Sequence, residues 1–261
     1  MDSRSSSRLQ RVAHRGGAAL APENTLAAFR RALSLSVDAI ELDVQMSRDG
    51  HVIVFHDATV ERLTDGQGNL LDLDLADLQA LDAAAHFSGG WSQPQRIPTL
   101  REVLDLAQHG RIRVFIEIKS GKRKDTSIRY PGIAEAVVRE VLAAGMLDHV
   151  MIMSFDWAIL PHLKELAPGV QTGALVSNAV WQPQATEALS TLVAQVKALR
   201  CEWIHMNYKL FTPEMPGFFH ANGLQLGVWI VNDAAGLQCL AQTGVDSLTT
   251  DRPDLFASAI A

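Results

Sequence analysis

Cysteine is nearly absent, with Cys201 and Cys239 the two thiols in 261 residues. Both stand in apolar surroundings without metal-ligand spacing. That argues against a disulfide framework or a thiolate zinc site, and the expectation is two buried thiols in a reducing cytoplasm. Long apolar runs are missing as well. No stretch reaches the ~18 continuous apolar residues of a membrane span. The N-terminal "MDSRSSSRLQR" has basic residues but no apolar segment behind them, so neither a signal peptide nor a membrane anchor is expected. A basic surplus is lacking too. A net charge of −6 speaks against nucleic acid as a partner. An anionic substrate would then be drawn by a local positive cluster or a bound cation, not by the field of the whole protein. The sequence carries no sign of an oligomeric state.

What remains is 48% hydrophobic and 20% charged, enough apolar material for a large core. Strand-like segments alternate with amphipathic helical ones: 11–16, 39–45, 51–57, 113–119, 150–155, 171–177, 202–208, 225–231 and 247–251. Asn24 is positioned to cap the helix in "NTLAAFRRALSLS", while Pro98 and Gly110 bracket the helix in "IPTLREVLDLAQHG". A parallel neighbour needs a crossover of about a dozen residues, yet only "MSRDG" separates 39–45 from 51–57. These two segments must form an antiparallel hairpin, turning at Asp49-Gly50 and setting Asp43 opposite His56. Counting the hairpin as an elaboration of strand two leaves eight parallel strands. The expected fold is a distorted (β/α)8 TIM barrel, one domain over residues 1–261 with an insertion at about 58–98. An open doubly wound sheet is the runner-up.

Alternation along the strands then assigns faces. In "AIELDVQ", Ile40, Leu42 and Val44 face the helices while Glu41 and Asp43 face the barrel interior. In "RVFIEIK", Val114, Ile116 and Ile118 face out, and Phe115, Glu117 and Lys119 face in. His14 and Arg15 close the first strand at its C-terminal end, where barrel active sites form. Buried carboxylates need compensation. An ion-pair network with Arg15 and Lys119 is the plain alternative, but the pattern recurs on a second strand. That favours a metal site of Glu41, Asp43 and Glu117, whose oxygen-only donors suit Mg2+ or Ca2+.

Ordered blocks across nearly the whole chain resemble the glycerophosphodiester phosphodiesterase family. They are "AHRGG", "PENTLAAF", "ELDVQMSRDGHVIVFHD", "RLTDGQG", "IPTLREVL", "IEIK", "SFD", "VWIVN" and "GVDSLTTDRP". The resemblance implies a TIM barrel with a small insertion and hydrolysis of glycerophosphodiesters to sn-glycerol 3-phosphate and an alcohol. It implies Glu41, Asp43 and Glu117 as ligands of one divalent cation and His14 and His56 as the acid/base pair. Arg15 and Lys119 would contact phosphate, with Trp229 and Phe155 on the substrate side. Ala84 and Ile230 depart from the family's usual glycine and threonine, which touches loop shape and the alcohol pocket but not the chemistry.

Other residues carry two readings each. Glu23 either pairs with Arg15 or serves as an acid at a helix N-terminus. Asp57 either orients His56 or caps the next turn. Lys122, Arg123, Lys124 and Arg129 form a basic loop at the mouth, either a solvated surface or a steering field. Asp251 reads as a turn carboxylate. His51, His86, His109, His149, His162, His205 and His220 read as surface or core residues. Three other functions compete: a lysophospholipase D or C with an apolar lip from Phe87, Trp91, Phe218 or Phe219, a metal-dependent sugar isomerase or aldolase, and a non-catalytic barrel that binds glycerophosphodiesters.

Overall fold

The computed structural model describes residues 8–119, 121–123, 126–128, 130–181 and 187–260. Its strands are β1 (Gln10–Ala13), β2 (Ala39–Met46), β3 (Val52–Val54), β4 (Arg113–Ile118), β5 (Gly121–Arg123), β6 (Thr126–Ile128), β7 (Val150–Ser154), β8 (Gln171–Val176), β9 (Trp203–Asn207), β10 (Gln225–Trp229) and β11 (Ser247–Thr250). The order β1-β11-β10-β9-β8-β7-β4-β2 is parallel throughout, and β1 pairs with β2, so eight strands close a (β/α)8 barrel. The α-helices are α1 (Leu26–Leu33), α2 (Leu75–Ala80), α3 (Leu100–Gly110), α4 (Ile133–Ala143), α5 (Leu160–Leu166), α6 (Glu187–Ala198), α7 (Met215–Ala221), α8 (Ala234–Ala241) and α9 (Phe256–Ala259). None is long and apolar enough to cross a membrane among the described residues.

The alternation expected of β2 and β4 is what the packing shows. Ile40, Leu42, Val44, Val114, Ile116 and Ile118 join the helices in the outer core. Val12, Ala39, Phe115, Met151, Met153, Leu175 and Trp203 fill the barrel interior beneath the mouth.

Several local expectations need correction. The hairpin of β2 and β3 is real, but Val44 pairs with Val54, and the amide of Phe55 reaches the carbonyl of Asp43. Ser47 faces His51 across the turn, leaving Arg48, Asp49 and Gly50 as a three-residue loop. Gly50 takes φ 86°, the left-handed conformation such a loop demands of one residue. Asp43 therefore opposes Phe55, and His56 lies beyond the strand. Asn24 does not cap α1. Thr25 does, its side chain accepting from the amide of Ala28, while Asn24 turns inward at φ 58°. The α3 helix is capped by a Thr99–Glu102 box and runs through Gly110, with Arg111 as the left-handed residue after it. Strands β1 and β3 are shorter than the sequence suggests. Cys201 is buried as expected, but Cys239 is exposed. Lys124 and Arg129 of the basic loop lie outside the described residues, and Lys122 and Arg123 fall on β5.

Between β3 and α3 the chain builds a small apolar cluster of its own, with Ile53, Phe55, Val60, Leu70, Leu78, Ala83 and Ile97. Gln45 ties this segment to the barrel. Its buried amide donates to the carbonyls of Phe55 (2.9 Å) and Asp57 (2.8 Å), and it accepts from the Tyr130 hydroxyl at 2.7 Å. Both bonds grip the backbone on either side of His56.

Candidate active site

At the C-terminal end of the barrel, β1 gives way to a tight turn at His14–Gly16. Arg15 sits there at φ 50°, and Gly16 tolerates φ 80° where a Cβ would lie 2.8 Å from Ala28. The turn aims His14 and Arg15 over the strand ends. His14, Arg15, Glu41, His56, Glu117, Lys119, Phe155 and Trp229 all line one pocket of about 120 Å³. Asp43 lies directly beneath, fully buried.

The two histidines are held alike. His14 Nδ1 lies 2.6 Å from Asp251 Oδ1, and His56 Nδ1 lies 2.5 Å from Asp57 Oδ1. A carboxylate at Nδ1 favours the proton there and leaves Nε2 for the other partner of the ring. For His14 that second nitrogen is 3.8 Å from Glu41 Oε2. Burial alone would lower the His14 pKa, but Glu41 and Asp251 outweigh it and the net shift is upward.

Glu41, Asp43 and Glu117 place ligand oxygens within 4.8 Å of one another. Burial raises the pKa of Glu41, and the neighbouring Asp43 adds to it. Burial also raises Glu117 against the pull of Lys119. Asp43 resists: burial pushes up, but Lys119 and Arg15 hold it well below the usual carboxylate range. Lys119 Nζ stands 2.6 Å from Glu117 Oε1 and 3.0 Å from Asp43 Oδ1. The second contact is an ion pair without hydrogen-bond alignment, so Asp43 Oδ1 is buried with no hydrogen bond. Its partner oxygen accepts from Asn24 Nδ2 at 2.8 Å. Arg15 and Lys119 keep Asp43 ionised, while Glu41 and Glu117 beside it lack a full set of positive neighbours and are pushed toward their neutral forms. An oxygen-only donor set with an orphaned, ionised carboxylate oxygen fits a hard divalent cation.

Outside this centre a charged chain supports it. Arg15 Nη1 donates to Glu23 Oε1 at 2.7 Å, and Glu23 also accepts from Arg62 at 2.9 Å. Arg62 in turn pairs with Asp57. Glu23 thus pairs with Arg15 and does not sit inside α1. Phe155 meets Trp229 edge-on at 5.6 Å across the mouth.

Every site residue singled out in the sequence comes to this mouth. Missed were Asn24, taken as a cap, Asp251, taken as a turn acid, and Gln45; His205 is buried, as its core reading has it, and lines the pocket as well. Only Gln45 left a usable signal, the same strand parity as Glu41 and Asp43.

Residues 14–255 match the glycerophosphoryl diester phosphodiesterase family. The chain belongs to that family. A glycerophosphodiester phosphodiesterase of Caldanaerobacter subterraneus is 36% identical over 251 residues, 95% of this chain and 96% of the relative. One from Bacillus subtilis is 32% identical over 265 residues, 95% of this chain and 85% of its own. Among solved structures, an Oleispira antarctica phosphodiesterase in complex with the product sn-glycerol-3-phosphate superposes with TM-score 0.80 at 28% identity, covering 96% of both chains. A glycerophosphodiester phosphodiesterase from Agrobacterium tumefaciens gives 0.79 at 28% identity, over 96% of this chain and 99% of that one. The family's fold is the fold described above, with the pocket at the same end as barrel active sites in general.

Proposed function

We propose that this chain hydrolyses glycerophosphodiesters such as glycerophosphocholine or glycerophosphoethanolamine to sn-glycerol 3-phosphate and an alcohol, with Mg2+ or Ca2+ held by Glu41, Asp43 and Glu117. The observation that carries it is the pairing of two imidazoles, each fixed at Nδ1 by its own carboxylate, around one acidic cluster in one pocket. Family membership and relatives named for this activity support it.

A phosphodiester anion resists attack because its charge repels nucleophiles and its leaving alkoxide is a strong base. A bound cation would polarise the phosphoryl oxygens. Arg15, fixed by Glu23 and lying 3.1 Å from Asp43, offers a planar donor set for a phosphate. Lys119 adds a point charge from the opposite side of Asp43. Together they stabilise charge that accumulates as the phosphorus becomes pentacoordinate. One imidazole takes the proton of the nucleophile and the other supplies the proton the leaving oxygen needs. A two-sided arrangement of this kind contributes ~10² to 10⁴-fold per group. Asp251 and Asp57 keep the rings oriented and stabilise each imidazolium as it forms.

The test offers glycerophosphocholine, glycerophosphoethanolamine and a lysophospholipid in parallel, with and without chelator, and follows glycerol 3-phosphate release. Chelator-sensitive release from the two water-soluble diesters is expected. Preferential turnover of the lysolipid, or full activity in chelator, would overturn the respective half of the proposal. Of the residues a lipid lip would draw on, Phe219 is buried in the core, while Phe87, Trp91 and Phe218 are partly exposed, so the lysolipid arm of this test decides between the two readings.

A further inference from the structure

The pocket is chemically two-sided. The histidine pair, the acids, Arg15 and Lys119 form its charged half. The other half, running from Met153 round to Ile230, is apolar except for His205 and Thr249. His205 stands on β9, opposite Gly227 of β10 and one strand from Gly173 of β8. Those two glycines make its place. A Cβ on Gly227 would lie 2.4 Å from His205 Nδ1, and one on Gly173 would lie 2.9 Å from His205 Cδ2. Any side chain at either position would push the ring out of the pocket wall.

The ring is held by its faces and not by its nitrogens. It stacks on Trp203 with centroids 5.3 Å apart and meets Phe115 edge-on at 5.6 Å. Trp229 Nε1 donates to the His205 carbonyl at 2.9 Å, locking the two pocket residues together through the backbone. Only 1% of His205 is exposed, and burial pushes its pKa down to about 3, so the imidazole is neutral at working pH. Its one polar contact among the described residues is Nε2 to the Met151 thioether at 3.2 Å, a weak acceptor. A buried imidazole this poorly satisfied, on the edge of a ligand pocket, calls for a further partner.

We propose that His205 is the specificity-determining residue for the glycerol moiety, its neutral imidazole hydrogen-bonding a substrate hydroxyl on the uncharged side of the pocket. This rests on the phosphodiesterase function proposed above and names which part of the substrate that side recognises. With its Nε2–H directed at the Met151 sulfur, the neutral ring keeps Nδ1 as an acceptor, which a substrate hydroxyl can satisfy by donating. Groups on the charged half hold the phosphate. The glycerol carbons then fall toward Trp229 and Leu175, with His205 as the ring that can tell an alcohol from a methylene. A site built to bond a hydroxyl rejects the analogue that lacks it, because its own polar group is left unpaired.

The experiment uses the full chain with its divalent cation present. Titration calorimetry first compares sn-glycerol 3-phosphate with propyl phosphate, which has the same carbons and charge but no hydroxyls. About tenfold tighter binding of glycerol 3-phosphate by the wild type is expected, roughly the value of one neutral hydrogen bond. His205→Leu should erase that preference, and His205→Asn should restore part of it. In kinetics, the ratio of kcat/KM for glycerophosphocholine to that for bis(4-nitrophenyl) phosphate should fall about tenfold in His205→Leu, mostly through KM. Equal binding of the two phosphates by the wild type would overturn the proposal, whether or not the variants fold. So would a Leu variant that keeps the preference. Since binding needs no turnover, a wild type that distinguishes the two phosphates yet cleaves no glycerophosphodiester would overturn the catalytic proposal and leave this one standing.

Discussion

Asp251 is 237 residues from His14 along the chain, yet its Oδ1 lies 2.6 Å from the ring's Nδ1. The last strand of the barrel thereby completes a residue delivered by the first, across the seam where the sheet closes. Asn232 fixes the other end of the carboxylate, donating to Oδ2 at 2.6 Å. Asp251→Asn keeps the size but replaces an acceptor that orients the ring and stabilises its charged form. It should cost kcat much of the ~10² to 10⁴-fold that a positioned acid or base supplies, with folding intact. Initial rates and a melting curve on the same preparation check it. A variant with normal kcat would remove Asp251 from the machinery.

Gln45 predicts an effect of another kind. Its amide serves the carbonyls of Phe55 and Asp57 and the hydroxyl of Tyr130 at once. Gln45→Met preserves volume and leaves all three without that partner. Each unsatisfied buried group costs about 1 to 3 kcal/mol, partly offset where the segment relaxes toward water. A loss of about 2 to 4 kcal/mol in urea unfolding is expected, together with a fall in kcat because the backbone that carries His56 is no longer clamped. An unfolding midpoint within error of wild type would refute the clamp.

These cases mark what could be read in the sequence. The barrel and its acidic floor were legible because strand alternation has a period of two, and Glu41, Asp43 and Glu117 broke an otherwise apolar pattern. Asn24 was not legible: before an apolar helical run, an asparagine that caps and one that turns inward to Asp43 look the same. Asp251 and His205 depend on which strands become neighbours at closure. His205 faces Gly227 and lies near Gly173 only through the register of three strands, and no local pattern encodes that register. The one-residue error in the hairpin came from the turn, since Asp-Gly suits a three-residue loop with a left-handed glycine as well as a two-residue one.

The joint between β1 and β2 yields a prediction about pH. Arg11 Nε donates to Asp38 Oδ2 at 2.8 Å and Nη2 to Oδ1 at 3.1 Å, while the Arg11 amide also reaches Oδ2 at 3.0 Å. Partial burial would raise the Asp38 pKa, but Arg11 outweighs it and the pKa is lowered. A carboxylate with a depressed folded pKa stabilises the fold above its unfolded value, near 3.9, and loses that contribution as pH falls through the folded pKa. Asp38→Asn should therefore cost about 1 to 2 kcal/mol at pH 7 and progressively less below pH 4. Melting temperatures of both proteins should differ by roughly 2 to 8 °C at neutral pH and converge in acid. A gap that stays constant from pH 7 down into acid would show that the stabilisation is not electrostatic.

Glu117 decides whether the acidic floor serves a cation or only Lys119. Its Oε1 is 2.6 Å from Lys119 Nζ, and its burial raises its pKa, so as an ion-pair partner alone it is an expensive choice. Two substitutions separate the roles. Glu117→Gln removes a ligand charge and should weaken Mg2+ or Ca2+ binding by about tenfold or more, with activity partly recovered at high metal concentration. Lys119→Met removes the competing ammonium while leaving Glu41, Asp43 and Glu117 in place. On the metal hypothesis it should tighten cation binding, because Asp43 Oδ1 and Glu117 Oε1 lose their nearest positive neighbour, while kcat falls for want of a phosphate contact. On the ion-pair hypothesis, neither protein binds the cation measurably and both are simply less stable. Calorimetric titration of the two variants with each cation, beside urea unfolding without metal, distinguishes the cases. An unchanged metal affinity in Glu117→Gln would remove that residue from the ligand set, and absence of any cation binding in the wild type would remove the site.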